Sequence, residues 1–464
     1  MEIVRKSQKT EQQTDRRWRI SPEDSKQTGA RSTISGEQTT MSGTKFQARV
    51  LDRNNLNQAY LRVKRNKGVA GLDGMSVDDL LPYLKAHRQK LLDSLANGTY
   101  RPMPVKRVEI PKPNGGKRKL GIPTVVDRLI QQAVAQVLTP IFEQVFSDSS
   151  FGFRPHRSAH DAIRQVIDLY NQGYHCVVDL DLKAYFDTVT HDLMMKFVSQ
   201  YVQDPWLLKL IRRFLTSGVM NGHVFEPEIK GTPQGGPLSP LLANIYLNEL
   251  DKLLTSRGHK FVRYADDCNI YVKSKRAGQR VLASVNRFLE RDLKLTVNRE
   301  KTQVGSPLKL KFLGFSLSVN RNGAYARPAK TSKQRIKQAL KQITKRNRGI
   351  SLERMFREIW QKMRGWLQYY GFGKLQAFIK RLDQWLRSRI RQSIWKSWKK
   401  IKTRIKRLKQ LGEPVREAHI YANTRKGPWY TAHTGVLKYT LTNEKLEGLG
   451  LMNMSKTLQQ IQSA

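Results

Sequence analysis

Two carboxylates stand side by side in FVRYADDCNIYV (261–272), at Asp266 and Asp267, and two more alternate in HCVVDLDLKAYFDTV (175–189), at Asp179 and Asp181. Adjacent negative charges repel, and Asp is depleted in strands, yet the residues around both sets are β-branched or aromatic. A polar hairpin turn would explain the first pair, since Asp suits turns. A divalent cation that neutralises the acids explains both sets. Phosphoryl transfer needs a hydroxyl nucleophile deprotonated and a leaving oxygen stabilised. Two divalent ions about 3.5–4 Å apart do both when carboxylates from different strands hold them. Asp181, Asp266 and Asp267 are therefore the candidate catalytic and metal-binding residues, with two Mg²⁺ ions as the expected cofactor and Mn²⁺ as a substitute.

The surrounding pattern supplies elements to position these acids. VKRVEIPKPNGGKRKLGIP (105–123) reads as two basic strands around a Pro-Asn-Gly-Gly turn. In TVVDRLIQQAVAQVLTPIFEQVF (124–146) the apolar residues recur at helical spacing, and Thr124 with Asp127 forms an N-terminal cap. Ser158 and Asp161 cap a second helix that ends near Gly173. Alternation along 175–182 sets Asp179 and Asp181 on one face and Val178, Leu180 and Leu182 on the other. GTPQGGPLSP (231–240) leads into a helix, a further helix is expected over 278–295, and KLKFLGFSLSV (309–319) ends the α/β (α+β) pattern. Beyond about residue 330 the chain becomes helical and intensely basic. Five of the eight tryptophans fall between Trp360 and Trp398, where a helical core is the expected role for most.

The bulk numbers narrow the class. A chain of 464 residues is long enough for roughly three domains. Its 84 Lys and Arg against 38 Asp and Glu leave a formal net charge of +46, which calls for a polyanionic partner such as nucleic acid. No apolar run reaches membrane-spanning length, and the N-terminus has no apolar signal stretch, so no membrane partner is expected. Cys176 and Cys268 are the only cysteines, which supports neither a disulfide framework nor a Cys-rich zinc site and fits a cytoplasmic setting. Cys268 is expected to pack rather than react. His156, Arg157 and His160 are expected to build a loop and helix cap. Residues 1–44, poor in aliphatics, read as a disordered basic tail.

Taken together, RYADDCNIYV, DLDLKAYFD (179–187), IPKPNGGKRKLGIPTVVDRLIQQA, SSFGFRPHRSAHDAI, GTPQGGPLSPLLANIYLNELD and FLGF occur in the order seen in group II intron-encoded reverse transcriptase/maturases. The chain resembles that family over roughly residues 45–430, and NTRKGPW (423–429) resembles its bacterial class C branch. The resemblance implies right-hand polymerase fingers and palm over 45–330, with YADD on a hairpin. A helical thumb over 331–400 and a basic nucleic-acid-binding region over 401–464 follow. Asp181 matches the family's first metal-binding carboxylate, and Phe186, five residues on, matches its sugar-gating aromatic. Lys112 and Arg118 match residues that grip the triphosphate, for which the planar fork of Arg is suited. Gln234 matches a residue beside the nascent base pair. Lys402, Arg404, Lys406 and Arg407, in KKIKTRIKRLK (399–409), are expected to bind RNA or DNA.

The implied activity is RNA-directed DNA synthesis by target-primed reverse transcription of a group II intron, joined to maturase assistance of splicing. The implied partners are the intron RNA, an RNA template with a DNA primer, target DNA and deoxynucleotides, in the bacterial cytoplasm and its nucleoid. After residue 430 there are no paired cysteines of the endonuclease that many family members carry, so priming is expected from an existing 3′ end. Three rivals remain on the sequence alone. One is a catalytically inactive RNA-binding splicing factor, another is a retron or diversity-generating reverse transcriptase, and the third is a sequence-specific DNA-binding regulator.

Overall fold

Strands rich in β-branched residues and amphipathic helices alternate through the first two thirds of the chain in the computed structural model. The structure describes residues 43–463 except 112–114, 116, 223, 228, 229, 233 and 234. The tail expected over 1–44 lies outside the described residues as far as position 42, and a helix, Gly43–Leu51, opens the described part. The strands are β1 (Val105–Pro111), β2 (Lys117–Ile122), β3 (Cys176–Leu180), β4 (Val219–Asn221), β5 (Val224–Glu226), β6 (Lys260–Tyr264), β7 (Asp267–Val272), β8 (Gln303–Gly305), β9 (Phe315–Asn320) and β10 (Gly323–Pro328).

The central sheet runs β6-β7-β3-β8, with every neighbouring pair antiparallel. β3 is a buried inner strand because CVVDL offers apolar side chains to both faces. Val178, Leu180 and Leu182 are buried and Asp179 and Asp181 half-buried, the alternation expected here, and Val177 is buried as well because both faces are covered. Helix Ala159–Asn171 packs Ile163 and Val166 with Val177, Tyr271 and Phe315 on one side. It starts at Ser158, whose side chain accepts from Asp161 N while the Asp161 carboxylate accepts from Ser158 N, a reciprocal capping box at the place the sequence marks. Helix Val125–Glu143 likewise begins at Thr124, whose hydroxyl accepts from Asp127 N.

A second sheet, β2-β1-β4-β5, carries the basic hairpin, with β1 and β2 paired antiparallel so that Ile110 faces Arg118. One boundary differs from expectation, and the FLGF segment turns before its strand begins. The helix expected over 278–295 runs from Lys275 to Arg291, because Ser274 caps it by accepting from Ala277 N. In FLGFSLSV the strand starts only at Phe315, because Leu313 (φ 49°) and Gly314 (φ 79°) turn through the left-handed region.

From residue 330 the chain is helical. Helices Lys330–Ile343, Leu352–Tyr370 and Gln376–Ser397 bury Leu340, Ile359, Leu367, Leu386 and Trp395 together. Leu408, Leu437, Leu446 and Leu458 join the same cluster, so residues on both sides of position 400 share one core. Trp395 and Trp398 are buried in it and Trp366 and Trp385 pack partly against it, which is the core role expected for most of this group. Among the described residues no helix is long and apolar enough to cross a membrane.

Candidate active site

Register places the acids. In the β3–β7 pair Leu180 faces Cys268, and in the β6–β7 pair Tyr264 faces Asp267. Asp181, the next residue after Leu180, therefore stands beside Asp267, and Ala265 and Asp266 form the tip of the β6–β7 hairpin. Two residues complete that turn only if the first takes positive φ, and Ala265 does so at 58°. Asp181 is fixed by its backbone: its N–H donates to Thr302 Oγ1 at 3.1 Å, and its carbonyl accepts from Asn298 N at 2.9 Å. Lys301 Nζ lies 3.5 Å from Asp181 Oδ2. The three carboxylates predicted from sequence are thus brought together at one end of the central sheet.

The hairpin tip is held from beneath by a buried charge. Arg263, on β6, is fully buried, as is Asp251 on helix Ser239–Ser256. The guanidinium donates to Asp251 Oδ1 from Nε at 2.8 Å, to Asn244 Oδ1 from Nη1 at 2.9 Å and to the Ala265 carbonyl from the same nitrogen at 3.0 Å. Asn244 in turn donates to the Gly152 carbonyl at 2.7 Å. Gly152 lies so close under the turn that a Cβ there would come within 2.3 Å of Ala265 N, which only glycine avoids. Sequence reasoning missed this support. Its signal was present: Arg263 shares strand parity with buried Phe261, an unusual place for a charge.

Electrostatics follow from the crowding. Burial raises the Asp266 carboxyl above its ordinary range and Asp181 adds to the rise, while Arg118 and Arg263 draw it back. Enclosure by protein pushes Asp267 up to about 6, with repulsion from Asp266, Asp179 and Asp181 adding and Lys301 opposing. Asp267 is nonetheless solvent-exposed as a residue, so water and salt screen part of this effect. Asp179 is also raised, first by burial and then by Asp181. Among the described residues no three His, Cys, Asp or Glu side chains close into a metal shell. The fold offers instead an open set of oxygen donors, the kind a hard cation uses when phosphate oxygens and water complete its coordination.

The other expected residues fall as follows. Arg118, exposed on β2, is near enough for its charge to act on Asp266. Phe186 is half-buried in the short helix Tyr185–Thr188 that follows Asp181, and its carbonyl accepts from Thr232 N at 2.7 Å. The loop carrying Thr232 thereby docks on this helix, and Gly235 (φ 143°) brings it against β2, where a Cβ would meet the Gly121 carbonyl at 2.5 Å. Lys112 and Gln234 lie outside the described residues. Burial pushes the Cys268 thiol up, in keeping with packing. His160 bonds through Nε2 to the Tyr369 carbonyl at 2.7 Å, and Arg157 pairs with Asp148, both structural uses. Lys402, Lys406 and Arg407 are exposed on helix Ile401–Gln410. Arg404 differs: it donates to the carbonyls of Trp398 (3.0 Å) and Ala422 (3.2 Å) and lies 4.7 Å from the Trp395 ring centre.

Two predictions concern the chain alone. Arg263→Met leaves Asp251 buried and unpaired and should cost about 3–5 kcal/mol in urea denaturation. Arg263→Met combined with Asp251→Leu should recover much of that loss; a double variant no more stable than the single one would contradict the buried-pair account. For Asp267, a folded-state value raised from 3.8 to about 6 means its contribution to stability is present below about pH 4 and is lost as pH rises through 6. With chelator present, denaturation midpoints of wild type should therefore fall over that window relative to Asp267→Asn. Parallel pH profiles would show that Asp267 is not perturbed.

Residues 110–317 match the family model described as reverse transcriptase (RNA-dependent DNA polymerase), and residues 333–412 match the group II intron maturase-specific domain. The group II intron-encoded protein LtrA of Lactococcus lactis subsp. cremoris is 33% identical over 344 residues, covering 60% of this chain and 57% of LtrA. The chain thus spans little more than half the length of that relative. Protein YkfC of Escherichia coli (strain K12) is 36% identical over 272 residues, covering 50% of this chain and 71% of YkfC. Among solved structures, a partial Cas6-RT-Cas1–Cas2 complex is 26% identical over 52% of this chain and 42% of that one, with a TM-score of 0.34. With a reverse transcriptase segment followed by a maturase segment in one chain, the protein belongs to the family of group II intron-encoded reverse transcriptases.

Proposed function

We propose that this chain is an RNA-directed DNA polymerase that copies a group II intron RNA from a DNA 3′ end and binds that RNA to assist its splicing. The observation that carries the reading is the register of β3 and β7, which sets Asp181 beside Asp267 at the foot of the Ala265–Asp266 turn. Residues 45–330 would be fingers and palm, the helices from 331 to 400 the thumb, and residues 401–464 an extension that shares the thumb's core.

Asp181, Asp266 and Asp267 fit a magnesium pair, or manganese in its place, as oxygen donors whose mutual repulsion a divalent cation relieves. When bound, such ions lower the pKa of the attacking hydroxyl and stabilise the leaving pyrophosphate. The protein's own contributions are positional. Arg263 tethers the Ala265 carbonyl and so fixes the direction of the neighbouring carboxylates. Thr302 and Asn298 fix Asp181 through its backbone. Arg118 and Lys112 would hold the triphosphate of the incoming deoxynucleotide. Phe186, with its backbone clamped by Thr232, would exclude a 2′-hydroxyl from the sugar site, and Gln234 would lie along the nascent pair. Lys402, Lys406 and Arg407 would neutralise phosphates of intron RNA or of target DNA, and the setting would be the bacterial cytoplasm, at the nucleoid.

The deciding experiment is extension of a DNA primer on an RNA template with magnesium. Asp266→Asn with Asp267→Asn should lower incorporation by several orders of magnitude while leaving RNA affinity within about threefold, because affinity rests on phosphate neutralisation elsewhere. Loss of RNA binding together with synthesis would refute that division of labour. No incorporation by the wild type at any magnesium concentration would favour a pure RNA-binding splicing factor. Reversing the charges of Lys402, Lys406 and Arg407 should flatten the dependence of RNA affinity on salt by about 0.7 in log–log slope per lost phosphate contact. An unchanged slope would remove this helix from the RNA interface.

A further inference from the structure

Away from the acids, the helical part contains an open cleft of about 680 Å³ whose wall is cationic, amide-bearing and aromatic. One side is a single face of helix Lys330–Ile343: Gln334, Lys337, Gln338 and Lys341 recur at helical spacing and are all exposed. The opposite side is Trp385, Arg389 and Gln392 on helix Gln376–Ser397, again one face. Trp429 of the NTRKGPW segment lines it as well. No acidic residue is among the described residues that line it.

The parts of this wall differ in how they are held. Arg389 is fixed: its Nε donates to Thr344 Oγ1 at 2.7 Å and its Nη2 to the carbonyls of Lys341 and Thr344, both at 3.2 Å. Its guanidinium lies 5.4 Å from the Trp385 ring centre and Lys337 Nζ lies 5.2 Å from it. Trp385 is therefore covered by cations and acts as a floor. Trp429 is supported from within its own segment, with the His433 ring 4.2 Å away and His433 Nδ1 2.8 Å from the Trp429 carbonyl. Even so, 45% of Trp429 is open to solvent. A large, partly open indole on the wall of a basic cleft is the kind of surface on which a base stacks.

We propose that this cleft receives an unpaired nucleotide of single-stranded RNA, its base stacked on Trp429 and its flanking phosphates held by Lys337 and Lys341. The proposal rests on reading the chain as an RNA-binding polymerase and deepens it. Duplex RNA fits the cleft poorly, because its bases are already stacked and its deep groove hides their edges. An acidic peptide would meet the lysines but would have no use for the indole. Gln338 and Gln392 carry both donors and acceptors and can meet any base edge, so the cleft favours unpaired RNA with little sequence preference.

Binding of a short oligo(U) and of an RNA duplex of equal length, at several salt concentrations, tests this on the full chain. Trp429→Ala should weaken oligo(U) binding roughly tenfold, the loss expected for one base–aromatic stack, and leave duplex binding nearly unchanged. Trp429→Phe should restore most of the affinity. Lys341→Gln should lower the salt slope for oligo(U) by about 0.7. Equal losses on both RNAs, or no loss on either, would overturn the proposal, as would displacement of oligo(U) by oligo-glutamate of equal charge as readily as by oligo(U) itself. Primer extension by the wild type separates the two readings. Extension without a Trp429 effect retains the polymerase and rejects the cleft, whereas selective loss in Trp429→Ala without extension retains the cleft and rejects the polymerase.

Discussion

Everything at the candidate active site depends on keeping like charges close. Asp181 raises the proton affinity of Asp266 and Asp267, Asp266 adds to that of Asp267, and a flexible segment would relax by moving them apart. The fold prevents this through main-chain hydrogen bonds. Asp181 is bonded on its N–H and its carbonyl, while the turn bearing Asp266 is pinned through the Ala265 carbonyl. None of these contacts uses a carboxylate oxygen. The acids are held by their backbones, so that apart from the Lys301 contact at Asp181 Oδ2 their positions do not depend on pairing of the carboxylates.

The same economy explains why a buried ion pair lies under the hairpin. An Arg–Asp pair in the interior gains little net stability over apolar residues of equal size, because both charges lose their water. What it adds is direction. The Arg263 guanidinium joins three partners on two elements, a helix and a turn, and Asn244 extends the network to the loop at Gly152. An apolar core at that point would fill the volume and leave the turn free to rock. This network ties helix Ser239–Ser256, the loop around Gly152 and the acid-bearing turn into one rigid body.

Much of this could be read from the sequence, and the rest could not for identifiable reasons. The caps at Thr124 and Ser158 were visible because a capping residue and its partner are only three positions apart. The β1–β2 hairpin and the acid turn were visible for the same local reason. Which acids meet was a matter of register, and the YADD and DLD segments gave it only through their resemblance to a family. The Arg263 network joins residues 12 and 19 positions away and a glycine more than 90 positions from its partner. Strand parity marks Arg263 as a charge in a buried place, but no local pattern names the partners it meets. Periodicity at β3 separated the acids from Val178, Leu180 and Leu182, but it gave no sign of what covers Val177 on the acids' own face.

The large positive charge needs a similar division. Arg387 is held between Asp383 and Glu447, so its charge is cancelled locally and adds little to the outward field. Arg389 and Arg404 are bound equally firmly, but mostly to carbonyls, which carry no net charge. They lose their freedom to grip a phosphate and keep their contribution to the potential around the helices. Arginine suits this double use because its fork satisfies several acceptors at once and never gives up its proton. Exposed lysines such as Lys337, Lys341, Lys402 and Lys406 keep both charge and reach. Steering of a polyanion toward the helical part therefore draws on every uncancelled cation, whereas grip at close range falls to the exposed ones, these lysines and Arg407 among them.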